Sequence, residues 1–192
     1  LTEVELFEIK NFLFLIRDLA VIMESSKVHL TSDMKVERIE NLENLLDPEE
    51  TGLSTFYIYD CYSHELRRIR GEKKEIEREL KFERKKARER VKEDLNLDLR
   101  PDGSIVVPKE ERELLKRIEF YPFLTYSSES YMNIKFSIKP SPSMTHLRKR
   151  FESLKEREER EEYNIRKKLS NEIGNNRKKL FRNMASIGKL DL

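Results

Sequence analysis

The sequence predicts a mainly α protein: an elongated helical core and a long antiparallel helix pair, with a small mixed α/β module inserted between the paired helices. Three observations predict it. Of the 192 residues, 40% are charged and 37% hydrophobic, with five glycines and no tryptophan, a balance that suits long helices with one buried stripe better than a compact α/β enzyme. Two long stretches carry apolar residues on a three–four spacing. Between them lies a proline-rich stretch of about forty residues with strand-like alternation.

The elements follow in order. TEVELFEIKNFLFLIRDLAVIM reads as a helix opened by a capping box, Thr2 with Glu5. Its apolar residues cover well over half the circumference, which predicts burial between other elements. Residues 34–46 read as a second, shorter helix, ending at a turn built on Asp47, Pro48 and Gly52. LSTFYIYD is rich in β-branched and aromatic residues and reads as a short extended segment.

From Ser63 to about Leu95 the pattern changes. Leu66, Ile69, Ile76, Leu80, Ala87, Val91 and Leu95 form a narrow seam, with Lys73 and Glu83 at intervening places, as in one strand of a coiled-coil pair. Such a helix would be about 50 Å long. In the inserted stretch, PDGSIVVP reads as a turn and strand, KEERELLKRIEF as a short helix, and the residues from Tyr131 to Ile138 as one half-buried strand. After Pro142 the seam returns through Met144, Leu147, Phe151, Leu154, Ile165, Leu169, Ile173, Leu180, Met184, Ile187 and Leu190, with a kink expected near Gly174 and its neighbouring asparagines. Neither narrow seam is stable alone, so the two helices should pair antiparallel.

Several function classes find no support. The net charge is only +2, which leaves no global footprint for nucleic acid. One cysteine excludes an intrachain disulfide and a multi-cysteine zinc site, and fits a reducing, cytoplasmic compartment. The longest apolar run is broken by Arg17 and Asp18, so no membrane span is expected. No metal-binding or nucleotide-binding motif occurs. In CYSHELRRIR, Cys61, Ser63 and His64 resemble a catalytic cluster, yet no oxyanion loop adjoins them, and His29 and His146 lie in unrelated segments. A helix start explains more: Ser63 as N-cap, Glu65 in the first turn, Leu66 and Ile69 opening the seam.

Four basic clusters remain: KFERKKARERVK (Lys81 to Lys92), HLRKR (His146 to Arg150), IRKK (Ile165 to Lys168) and NRKKLFR (Asn176 to Arg182). They suit phosphate contacts, but interleaved acidic residues also suit a solvated, ion-paired helix face. On residue chemistry alone the solvated face is the better account.

Asp60, Ser63, Glu65, Leu66, Ile69 and Arg70, followed by Val107-Pro108, FSIKP and Leu190-Asp191, form an order of segments that resembles the MutS family of DNA repair and recombination ATPases, most closely its MutS-II branch. Asp60, Ser63, Glu65, Leu66, Ile69 and Arg70 match the start of that branch's lever helix. Val107-Pro108, the FSIKP segment and the final Leu190-Asp191 pair match later positions. SSESYMN lacks the branch's usual glycine, and Lys139 stands where its glutamate does. The resemblance implies a core segment (1–62), an outgoing lever helix (63–99), an inserted tip module (100–142) and a returning lever helix (143–192). With Leu1 in place of a start methionine, an excised fragment is expected. It would lack the mismatch-reading domain, and also the ATPase domain that would bind ATP and Mg. No catalytic residue is expected within the chain itself. The implied partners are branched or duplex DNA and a second copy of the full-length protein, with ribosomes as a further target in some relatives. The residues nearest DNA would be Lys92, Arg100, Lys109, Lys116, Arg117, Lys135, Lys139, Arg148, Lys149 and Arg150. The competing expectation is a coiled-coil scaffold or dimerisation arm that never meets nucleic acid, and a third is a thiol enzyme using Cys61.

Overall fold

A computed structural model describes residues 1–25, 31 and 34–190, with only the backbone of Leu190. The described residues are mainly helical, with one small antiparallel sheet among them. It forms two compact units: unit 1, Leu1–Arg68 with Glu158–Leu192, and unit 2, Ile69–Arg157.

In unit 1, helix α1 (Glu3–Ser25) opens as expected. The Glu5 amide donates to Thr2 Oγ1 at 3.2 Å, and the Thr2 amide donates to the Glu5 carboxylate at 2.7 Å. One face of α1, carrying Leu6, Leu13 and Ile16, packs with Leu42 and Leu46 of α2 (Glu40–Leu46), Ile58, Leu66, and Ile165, Leu169 and Ile173. Each such fully buried aliphatic side chain contributes about 1.5–3 kcal/mol. Burial all round α1 is not observed: Leu15, Val21 and Ile22 are exposed. The core of unit 1 covers one side of this helix, and the described residues do not cover the other.

The expected helix over 34–46 begins only at Glu40. The cause is Asn183, whose side chain accepts from the Glu37 amide at 2.9 Å and donates to the Glu37 carbonyl at 2.8 Å. Both backbone groups that a helix would use are thereby taken. The same contact redirects the returning seam. Asn183 and Ser186 are buried and Met184 is exposed, against the expected seam, because the polar pair must reach into the protein. The Leu190 side chain and Asp191 lie outside the described residues, as does His29.

The segment before the long helix is not part of any sheet. Ile58 and Tyr59 are buried, with the Tyr59 ring packed edge-on against Phe56 and Tyr62. Its β-branched and aromatic content therefore serves the core of unit 1. A 3₁₀ turn (Asp60–Tyr62) then leads into α3 (His64–Leu95). The Leu66 amide donates to Ser63 Oγ at 3.3 Å, so Ser63 caps α3. Ser63 in turn donates to Glu161 at 2.6 Å.

In unit 2, Ile69, Ile76 and Leu80 of α3 pack against Met144, Leu147, Phe151 and Leu154 of α5 (Pro142–Asn175). Glu72 meets Arg150 at 3.4 Å, while Arg84 and Arg88 share a cavity with Met144 and Arg148, so these portions run antiparallel. Asn96, at φ 52°, stops α3 in the left-handed conformation that asparagine tolerates. The inserted stretch holds β1 (Ser104–Pro108), α4 (Arg112–Glu119), β2 (Leu124–Glu129) and β3 (Asn133–Ile138). Strand order is β1-β3-β2, all antiparallel, with a bulge between Tyr126 and Ser128. The single expected strand is thus the second arm of a hairpin, and it begins at Asn133 instead of Tyr131. In the connection, Ser130 Oγ accepts from the Asn133 amide at 3.2 Å without a glycine. One sheet face, carrying Ile105, Val107 and Phe136, packs with Val91, Leu95, Ile118 and Leu124. The seam continues through α5 to Asn175, breaks at Asn176, and resumes in α6 (Arg177–Leu190), two residues beyond Gly174.

Candidate functional site

The reactive-looking cluster at the start of α3 does not assemble chemically. No hydrogen bond among the described residues joins Cys61 to His64. Cys61 is exposed, and local desolvation, reinforced by the nearby Glu49 carboxylate, pushes its thiol up, opposite to what a nucleophilic thiolate needs. Ser63 is occupied as a cap and a donor to Glu161.

Unit 1 instead contains a buried ionic network. Lys10 is fully buried, and its ammonium donates to Asp47 Oδ1 at 3.0 Å, to the Thr55 carbonyl at 3.0 Å and to the Tyr59 hydroxyl at 3.3 Å. Burial by itself would raise the Asp47 carboxyl. Hydrogen bonds from the Gly52 amide, Lys10 and Thr51 outweigh it, with the charge of Lys10, and hold it below the ordinary aspartate value. All three ammonium hydrogens have acceptors, so the network has no vacant position for a substrate and acts as a brace.

The cationic surface lies in unit 2. All ten residues singled out in the sequence fall there, but they are not one constellation. Lys139 and Lys149 line one cavity of about 600 Å3 with His146. Lys92 lines a second of about 590 Å3 with Lys81 and Lys85, and Arg148 a third of about 640 Å3 with Arg84 and Arg88. Others are engaged locally: Lys135 with Asp102 at 3.0 Å, Arg150 with Glu72, Lys116 with Glu113 at 3.7 Å and Lys109 with Glu129 at 3.9 Å. Lys92 also reaches Asp98 at 2.7 Å, and that hydrogen bond and charge raise its own pKa while lowering that of Asp98. Arg100, Arg112 and Arg117 have no side-chain partner among the described residues.

No family model and no curated protein matches the chain. The surface must therefore be read from its own geometry. Lys81, Lys85, Arg88 and Lys92 recur at three- and four-residue intervals, which places them on one side of α3. Arg88 ties that side to the following loop by donating to the Pro101 and Arg100 carbonyls at 3.1 and 3.2 Å. The same loop is closed by the Gly103 amide donating to the Arg100 carbonyl at 2.8 Å, with Gly103 at φ 78°. Farther round α3, Arg90 stacks over Phe123 at 4.1 Å, and Asp94 accepts from the Tyr121 hydroxyl at 2.6 Å. Burial, then that hydrogen bond, raises the Tyr121 phenol to about 12, so it remains a donor through neutral pH. These contacts anchor the end of α4 and the start of β2 to α3.

Sequence reasoning noted the Lys81–Lys92 cluster without separating Arg84 and Arg88 from their neighbours. It missed Thr125 and Ser137, whose proximity to those arginines depends on strand pairing and leaves no local signature. Among the described residues, no group of three or more His, Cys, Asp or Glu side chains is placed to hold a metal, and no helix is long and apolar enough to cross a membrane.

Proposed function

We propose that this chain is the core and lever region of a MutS-like DNA-binding ATPase, in which the paired helices link movement at their bases to clamping of DNA near the inserted module. The observation that carries the reading is the side of α3 bearing Lys81, Lys85, Arg88 and Lys92, continuous with basic cavities beside the inserted module. Two further features favour a lever: α3 starts at a defined cap, and both α3 and α5 contribute residues to both units. ATP and magnesium would belong to a domain outside this chain, and dimer formation to the full-length protein. Branched or duplex DNA is the target this reading prefers, with ribosomes as a further target.

Phosphate contacts release condensed counterions, so binding should weaken linearly on a log–log scale with salt. Fluorescence anisotropy of labelled duplex and four-way-junction DNA across a salt series tests this. Arg148→Glu, Lys149→Glu and Arg150→Glu together should reduce affinity at least tenfold at low salt; unchanged affinity would remove that segment from the interface.

A second reading, a scaffold or dimerisation arm, is favoured by the exposed Leu15, Val21 and Ile22 on α1. It requires a salt-independent dimer in sedimentation, with no DNA binding at any salt concentration.

A further inference from the structure

The cavity of about 640 Å3 in unit 2 combines Arg84 and Arg88 of α3, Arg148 of α5, and the cross-strand partners Thr125 and Ser137 of β2 and β3. No hydrogen bond or ion pair among the described residues engages the side chains of Arg84, Arg148, Thr125 or Ser137. Three nearby cations do have acidic partners: Lys135 with Asp102, Arg150 with Glu72 and Lys92 with Asp98. Leaving two guanidinium groups without an anion around one cavity is a poor way to stabilise a fold, since like charges repel. It is a good way to receive one, because the guanidinium fork matches two oxygens of a phosphate, and hydroxyls supply further donors.

Arg88 has a different role. It donates to the carbonyls of Arg100 and Pro101, which fixes the wall of the cavity formed by residues 101–103. Asp102 also lines the cavity, but both its oxygens are occupied. Oδ1 accepts from the Ser104 amide and hydroxyl, and Oδ2 from Lys135. The hydroxyl of Ser104, then Lys135, holds the Asp102 carboxyl far below the ordinary range, so its charge is permanent and matched by the adjacent ammonium.

We propose that this cavity holds a phosphate group of a nucleic-acid backbone, gripped by Arg84 and Arg148 with the hydroxyls of Thr125 and Ser137, and that Arg88 is a positioning residue. The proposal rests on the reading that the chain binds nucleic acid, and it names where a strand is held. An extended polyanion fits better than a lone phosphate because the adjoining cavity adds Lys81, which has no partner among the described residues, on the same side of α3 as Lys85 and Lys92, at steps of about one helical turn, ~5.4 Å. The ion pairs of Lys85 with Glu89 and of Lys92 with Asp98 are exposed and weak enough to exchange for phosphates.

The test uses the 192-residue chain labelled with 15N, titrated separately with a short DNA duplex and with inorganic phosphate. Amide shifts at Gly103, Thr125 and Ser137 are followed in the wild type, in Arg84→Gln/Arg148→Gln, and in the charge-matched control Lys35→Gln/Lys155→Gln, two exposed lysines outside every basic cluster. The expected result is duplex-induced shifts at these amides that vanish in the first variant and persist in the control. The salt slope should also fall by about two in the first variant only, one unit per lost contact. DNA binding with shifts elsewhere and an unchanged slope would overturn the cavity assignment and leave the DNA reading standing. Phosphate-induced shifts without DNA binding would overturn the backbone assignment and the DNA reading together, leaving a site for free phosphate. No shift with either probe would overturn the site altogether.

Discussion

In unit 1 a lysine is withdrawn completely from solvent and surrounded by a carboxylate, a carbonyl and a phenol. In unit 2 two of the three arginines that line a cavity have no acceptor among the described residues. The difference separates two uses of charge. A buried cation with every hydrogen satisfied holds the chain to itself, and its loss leaves an uncompensated partner. An unpartnered cation at a cavity contributes little to the fold and is available to something outside it. On the reading proposed above, unit 1 would carry stability in its charges and unit 2 would carry recognition.

The largest expected effect breaks the first half of that comparison. Asp47→Ala strands the Lys10 ammonium and should cost about 3–5 kcal/mol in denaturant unfolding. Lys10→Met with Asp47→Leu should recover much of the loss, since removing both charges removes the desolvation penalty as well. A cost of a few tenths of a kcal/mol for Asp47→Ala would mean that the pair is not bracing unit 1. The pH dependence follows in sign. The folded Asp47 carboxyl lies below its unfolded value of about 3.9, so its contribution is complete above that pH. It is lost as pH falls through the lower, folded value. Replacing Asp47 by Asn should flatten the acid limb of the stability curve.

Ser63→Ala should cost about 1 kcal/mol, because one amide at the start of α3 loses its acceptor and Glu161 loses a donor. Restoration by Asp at the cap would be incomplete, since a carboxylate cannot donate to Glu161 and would repel it.

The cap shows what was legible in the sequence. Helix starts, seams and turns are encoded by residues within a few positions of each other, so Thr2 with Glu5, Ser63, Leu66 to Leu95 and Asp102-Gly103 could be read directly. Features built from distant partners could not. Lys10 and Asp47 are 37 residues apart, and nothing near Lys10 distinguishes it from a surface lysine. Glu37 and Asn183 are separated by 146 residues, and their paired hydrogen bonds override a helical pattern that residues 34–39 would otherwise support. At the candidate site, the basic cluster on α3 was visible as composition. Which arginines remain unpaired was not, because that depends on where Asp98, Asp102 and the loop carbonyls come to lie.

The smallest expected effect sharpens the second half of the comparison. Arg84→Gln/Arg148→Gln should change unfolding stability by no more than about 0.5 kcal/mol, as expected for side chains without partners among the described residues. A loss comparable with that of Asp47→Ala would show that these arginines brace the fold.

Hydrogen–deuterium exchange of the whole chain with and without duplex DNA tests the division of labour most directly. The account predicts new protection confined to unit 2, in residues 81–92, 100–104 and 139–150, with α1 unchanged. Protection centred on α1 in unit 1, or none in unit 2 under conditions where DNA is bound, would contradict it.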